Sequence, residues 1–284
     1  MEKKIKISPA KIVALILFVI YALSILFVIA QGIGISLVKA GDFTKGTIFP
    51  TKGIEWKNYA DAFTRLTVAI DGGRRVDILG MTVNSLWYSA GSSFFTILFC
   101  SITAYIISNY KFPGRRVLYV YAIVTMMLPI MGSAASAITF YKNLGILDTN
   151  FMILMFTTSF GETFIILSAT FRGISWEYAE AAFIDGAGHF RVWWQVMLPQ
   201  AISPMFALFM VGFIGKWSDS DTALLFMKTH PTIASGLFQI SHRDSYNVPV
   251  LFAGFMMSMI PVLALYIAFQ KTIMDIQVGG GIKG

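Results

Sequence analysis

The chain is 284 residues long, 56% hydrophobic and 13% charged, with a mean hydropathy of +0.69, whereas a soluble domain carries roughly 25% charged residues. This excludes bulk water as its main solvent, and the apolar residues fall in blocks long enough to cross about 30 Å of hydrocarbon. The net charge of +7 does not point to nucleic acid, because Lys and Arg sit at the ends of apolar blocks instead of clustering with aromatics on one face.

In chain order, Lys3, Lys4, Lys6 and Lys11 precede an apolar run over residues 12–34. The run is longer than the apolar stretch of a secretory signal and lacks a clear small-residue cleavage site, so it reads as an uncleaved first helix. Further blocks cover residues 80–108, 117–141, 151–171, 202–217 and 250–269. Backbone groups in lipid must bond within their own segment, and about twenty residues at 1.5 Å rise do so as a helix. Strands of alternating polarity are absent, which excludes a barrel. The expectation is an all-α integral membrane protein with six transmembrane helices in one domain over residues 1–284, ending in a cytoplasmic tail at 271–284. The fifth block is short before Asp219, and Ala223 to Met227 suggests a re-entrant continuation.

Cys100 is the single cysteine, so an internal disulfide is impossible. His189, His230 and His242 are scattered, and no metal site is expected. Basic residues should favour the cytoplasmic side, yet with the N-terminus inside they divide eleven against eleven. The long first external loop also carries five carboxylates, and the first helix usually dominates orientation, which favours cytoplasmic N- and C-termini.

The cytoplasmic stretch 175–199 reads as two short helices around a turn. Ser175 is placed to cap the first, Gly186 to take the left-handed conformation that ends it, and Pro199 to close the second. Ala179, Ala181, Ala182 and Ala187 keep part of the first helix and the turn nearly free of bulk, which permits close docking against another protein. On periodicity alone an interfacial amphipathic helix with Trp193 and Trp194 at the headgroups is equally compatible.

The order Glu180-Ala181-Ala182, Asp185-Gly186-Ala187 and Leu198-Pro199 resembles the EAA coupling motif of ABC importer permeases, and the tail from Gly279 to Gly284 resembles that of the MalG-type permeases of sugar importers. The resemblance implies the type I importer permease fold with a cytoplasmic coupling helix between helices 4 and 5, in a bacterial or archaeal inner or plasma membrane. It also implies a homologous permease as heterodimer partner, two ATP-binding cassette subunits that hold ATP and Mg, and an external solute-binding protein. The permease itself would carry no catalytic residue and no cofactor. Gly280, Gly281 and Lys283 would touch the ATPases by the same resemblance. In the maltose importer the loop between helices 5 and 6 reaches into the binding protein, which makes Gly236, Leu237, Phe238 and Gln239 the corresponding candidates here.

Membrane-buried polar groups are the remaining candidates. Glu162 lies nine residues before Phe171, roughly 14 Å from the inner boundary at 1.5 Å per residue. An ionisable group there costs at least about 2.5 kcal/mol in lipid, so it should line the translocation path or bond to Thr163, Asn84 or a neighbouring helix. Trp217, Asp219 and Asp221 follow the fifth block, where the family often shows Trp, Asn and an acidic residue; Ser218 stands at the Asn position. They are path candidates, with a solvated helix end as the alternative. A different organic solute, or an autonomous channel or secondary transporter, remains open as a reading of the whole chain.

Overall fold

The computed structural model describes residues 9–127, 132–243 and 246–279. The proposed tail contacts Gly280, Gly281 and Lys283 lie outside the described residues, as do Lys3, Lys4 and Lys6.

Helix α1 (Pro9–Ser36) is apolar on all sides and exposes most of its side chains, as a helix surrounded by lipid does. The following segment holds two short helices, α2 (Ala40–Phe43) and α3 (Lys57–Arg65), and a two-stranded antiparallel ribbon, β1 (Val68–Ala69) with β2 (Arg75–Val76). Asn58 pins α3 to the end of α1, donating to the carbonyls of Ser36 at 2.9 Å and Val38 at 2.8 Å.

Helix α4 (Ile78–Asn109) is the central pillar. Asp77 caps it by accepting from the Gly80 N–H at 2.9 Å. Its buried Ser85, Ser89, Ser92, Ser93 and Ser101 form a low-bulk face that permits close helix approach.

The third and fourth apolar blocks are not the continuous helices expected over 117–141 and 151–171. The third holds α5 (Arg115–Met127) and α6 (Ala134–Asn143), with Gly132 at φ +78° before α6. The fourth holds α7 (Met152–Met155) and α8 (Glu162–Gly173). Between them Gly161 adopts φ +122° and ψ −163°, a conformation reserved for glycine. The interrupted carbonyls find donors on other helices: Thr103 Oγ1 reaches Ser159 at 2.8 Å, Cys100 Sγ reaches Thr158 at 3.1 Å, and Lys216 Nζ reaches Phe156 at 3.3 Å. Irregular backbone at membrane depth is tolerated where protein or a water-filled cavity surrounds it.

After α9 (Glu177–Ile184) and α10 (His189–Gln200), the chain bends by 77° into α11 (Ile202–Trp217). Two short helices follow, α12 (Asp221–Phe226) and α13 (Ile233–Ser241), and then α14 (Val248–Gly279), which continues well past residue 269 and carries Pro261 in its interior. Among the described residues, α1, α4 and α14 each contain a stretch long and apolar enough to cross a membrane, and the α10–α11 pair adds one if counted as a bent span. Helix α4 links two cores. One, at its start, holds Met81, Phe213, Trp217 and Leu237; the other, at its end, holds Tyr105, Phe171, Ala179 and Trp193.

Candidate coupling surface and translocation residues

Helix α9 ends in a complete Schellman arrangement. The Ala187 N–H donates to Ala182 O at 2.9 Å and the Gly186 N–H to Phe183 O at 3.0 Å, with Gly186 at φ +81°. At the other end Ser175 Oγ accepts from the Glu177 N–H at a long 3.4 Å. The chain then re-enters α10 through His189.

Pro199 does not close the second helix. Residues Trp193–Met197 form a π turn in which the Leu198 N–H reaches back to Trp193 O, and the helix passes through Pro199 to Gln200. Proline brings no N–H to the ladder, and the widened turn lets the helix absorb it. The Gln200 side chain donates to Val196 O at 2.9 Å in that turn. The bend falls instead at Ala201.

The small residues also face differently from the expectation. Ala179 is fully buried and Ala182 and Ala187 are half-buried against the chain's own core, leaving Ala181 exposed among the four. They let α9 sit close to α10 and turn toward the core shared with α4 and α8. The outward face carries Glu177, Tyr178, Glu180, Ala181, Ile184 and Asp185, with Ile184 86% exposed and Phe190 on α10 72% exposed. Leu198 is half-buried in the same core and Pro199 is exposed.

An aromatic cluster that sequence reading did not single out fixes this platform to α4. Tyr110 lies edge-on to Trp176 at 5.6 Å and to His189 at 5.4 Å, and Phe183 meets His189 at 5.0 Å between ring centres. The Tyr110 hydroxyl is hydrogen-bonded to His189 Nδ1 at 2.8 Å and to the Tyr105 hydroxyl at 3.2 Å. Tyr110 lies between apolar blocks in sequence and shows its role only once α9 and α10 fold back on it.

Helix α4 has 32 residues, about 48 Å at 1.5 Å per residue; Trp217, Asp219 and residues 236–239 lie toward its opposite end, beside Met81 and Tyr88, whereas Glu162 follows the break that Cys100 and Thr103 hold against its second half. Glu162 opens α8 directly after the break and is exposed. Neither sequence-based partner is engaged: Thr163 makes no bond to it, and Asn84 donates to Pro231 O at 3.1 Å. A carboxylate in the first turn is favoured by the helix dipole, a placement the continuous-helix reading could not offer.

Trp217 is buried, stacked on Phe213 at 5.6 Å, and its indole N–H donates to Ser258 O at 3.1 Å. Asp219 is half-buried and not simply solvated: it accepts from the Tyr88 hydroxyl at 2.9 Å and from the Thr222 N–H at 3.1 Å. Asp221 is exposed in the first turn of α12 and accepts from Ser220 Oγ at 3.2 Å. Lys216, within the fifth block, lies with its ammonium 5.7 Å from the Tyr88 ring centre.

The four residues expected at a loop tip belong to α13. Thr232 and Ser235 form a capping box, and Ile233 N–H donates to Ser85 Oγ at 2.7 Å. Gly236 and Leu237 are buried, and a side chain at Gly236 would overlap Met81. They are therefore excluded as accessible contacts, while Phe238 is exposed and Gln239 half-buried. Phe238 and Trp217, assigned to different roles by sequence, line one cavity of about 390 Å³ between α11, α13 and α14.

The model of the family described as "binding-protein-dependent transport system inner membrane component" matches residues 96–273. The chain is 27% identical over 224 residues to the diacetylchitobiose uptake system permease protein NgcG of Streptomyces coelicolor, covering 77% of this chain and 71% of that protein. It is 23% identical over 255 residues to the melibiose/raffinose/stachyose import permease protein MelC of Bacillus subtilis, with 88% of each covered. The crystal structure of a bacterial ABC transporter that imports the acidic polysaccharide alginate superposes with a TM-score of 0.77 at 23% identity, over 93% of this chain and 98% of that one. That likeness shows a shared fold.

Proposed function

The chain belongs to the family of binding-protein-dependent transport system inner membrane components, and from that premise we propose that it is one permease half of an ATP-driven carbohydrate importer. Members of this family are multi-pass membrane components that work with ATPase and binding-protein components and catalyse no hydrolysis themselves. In our reading the second half is a homologous permease, two ATPase subunits hold ATP and Mg, and both termini are cytoplasmic. The sugar assignment is supported by relatives named for diacetylchitobiose and for melibiose, raffinose and stachyose.

The observation that carries the coupling role is the outward face of α9. Ile184 is almost fully exposed beside Glu180 and Asp185, while the opposite face is bolted to α4 and α8 through Ala179, Trp176 and Tyr110. A partner that moves this face moves the helices behind it as a body, which is how a cytoplasmic closure becomes an alternation of access. Glu180, Ala181, Asp185 and Gly186 present that surface, and Ala182, Ala187, Leu198 and Pro199 support it. The tail residues Gly280, Gly281 and Lys283 are assigned to the same partners. Glu162 and Asp221, exposed near the helix breaks, are assigned to the path.

Ile184→Asp tests the reading in the assembled complex. ATPase subunits should no longer co-purify, and binding-protein-dependent uptake into proteoliposomes should be lost. Full uptake by the permease with no ATPase bound would overturn the reading in favour of an autonomous carrier.

A further inference from the structure

We propose that this subunit itself holds one sugar ring in the cavity between α11, α13 and α14; the proposal rests on the carbohydrate reading above. The cavity, about 390 Å³, lies within the 300–1,000 Å³ typical of small-molecule sites. Its walls combine three aromatic side chains, Trp217, Phe238 and Phe255, with four serine hydroxyls, at 218, 220, 241 and 258, set among aliphatic side chains. Pyranose rings offer the same pairing, an apolar C–H face and a rim of hydroxyls.

Depth argues against lipid as the occupant. Helix α11 has 16 residues and so rises at most about 24 Å from Ile202, short of the ~30 Å hydrocarbon layer. The backbone then runs irregularly through Ser218–Ser220 before α12 begins. Non-helical backbone at that level is tolerated against protein or an aqueous cavity and not against acyl chains. Ser218 is exposed, and its hydroxyl has no partner among the described residues. Pro261, beside the cavity-lining Val262 on α14, leaves the Met257 carbonyl without its helical donor.

The polar groups already in use leave acceptors toward the space. Ser241 Oγ donates to Phe238 O at 2.7 Å and is also bonded to His242 Nδ1 at 3.1 Å, and Ser220 Oγ donates to Asp221 at 3.2 Å, so each oxygen keeps at least one lone pair for a sugar hydroxyl. Phe238 packs one side of its ring on His242, 4.2 Å between ring centres, and at 43% exposure the rest of the ring is available for stacking. Buried Trp217, anchored through Ser258, forms the floor.

The single native cysteine, Cys100, is buried, so an introduced thiol can be labelled selectively. In the complete importer in proteoliposomes, Ser241→Cys and the exposed control Thr44→Cys are labelled with a maleimide during turnover. The probes are trehalose, raffinose, maltotriose and diacetylchitobiose. A transported sugar should slow labelling at Ser241→Cys at least fivefold and leave Thr44→Cys unchanged. Phe238→Ala should raise KM for uptake about tenfold with kcat within twofold, a split that a loss of packing alone would not produce. Uptake with undiminished labelling at Ser241→Cys and an unchanged KM overturns the cavity assignment and leaves the importer reading standing. If none of the sugars is taken up, the carbohydrate reading fails, and the ligand assigned to the cavity fails with it.

Discussion

The ammonium of Lys216 lies 3.3 Å from the carbonyl oxygen of Phe156, sixty residues earlier in the chain. Phe156 is the last residue before the backbone of the fourth span leaves helical geometry. A charge that looks like the end of a transmembrane helix is thus the cap of a different, broken one, and it is held over the Tyr88 ring while Tyr88 donates to Asp219.

Lys216→Met should therefore destabilise the break. A hydrogen bond to a charged donor is worth about 1.5–3 kcal/mol, and half of that range is a reasonable expectation for a half-buried side chain. Thermal unfolding in detergent should show the loss, with Lys216→Arg retaining most of the wild-type stability. A Met variant as stable as wild type would mean that the contact contributes nothing.

Gly186 is the second position where backbone geometry decides. At φ +81° a β-branched residue is strained by about 1–2 kcal/mol, so Gly186→Val should unwind the end of α9. ATPase association measured by pull-down should weaken at least fivefold while the permease itself still inserts and purifies.

Gly236→Ala is expected to cost about 1–3 kcal/mol through overpacking against Met81. Trimming the neighbour in the double variant with Met81→Ala should recover part of that stability. Additive losses in a double-variant unfolding experiment would show that the two sites do not touch.

Glu162→Gln keeps the shape and removes the charge. Exposure at the start of α8 implies little effect on folding and a several-fold fall in uptake rate. Uptake equal to wild type would remove Glu162 from the path.

Tyr110→Phe deletes the bonds to His189 and Tyr105 and leaves the ring packing intact, a loss of about 1 kcal/mol. ATPase should remain bound, and ATP hydrolysed per sugar imported should rise, because the platform is less firmly joined to α4.

The sequence alone determined the solvent, the six apolar blocks and the segment proposed to couple the protein to its ATPases. Those features are local: hydropathy accumulates over about twenty neighbouring residues, and Glu180 to Pro199 carries its pattern in one stretch. Gly186 was legible for the same reason, since a turn needing positive φ selects glycine on the spot.

Only the tertiary structure decided where spans break and which faces look outward. The gap between α7 and α8 is stabilised by Cys100 and Thr103 from a helix more than fifty residues away, and a hydropathy window cannot register such donors. Ala179 and Gly236 are small because neighbours crowd them, whereas exposed small residues look identical in the sequence. Lys216, one of the eleven basic residues that the sequence places outside, points into the bundle; without it the division is eleven inside against ten outside, and a side chain's direction is set by the fold around it.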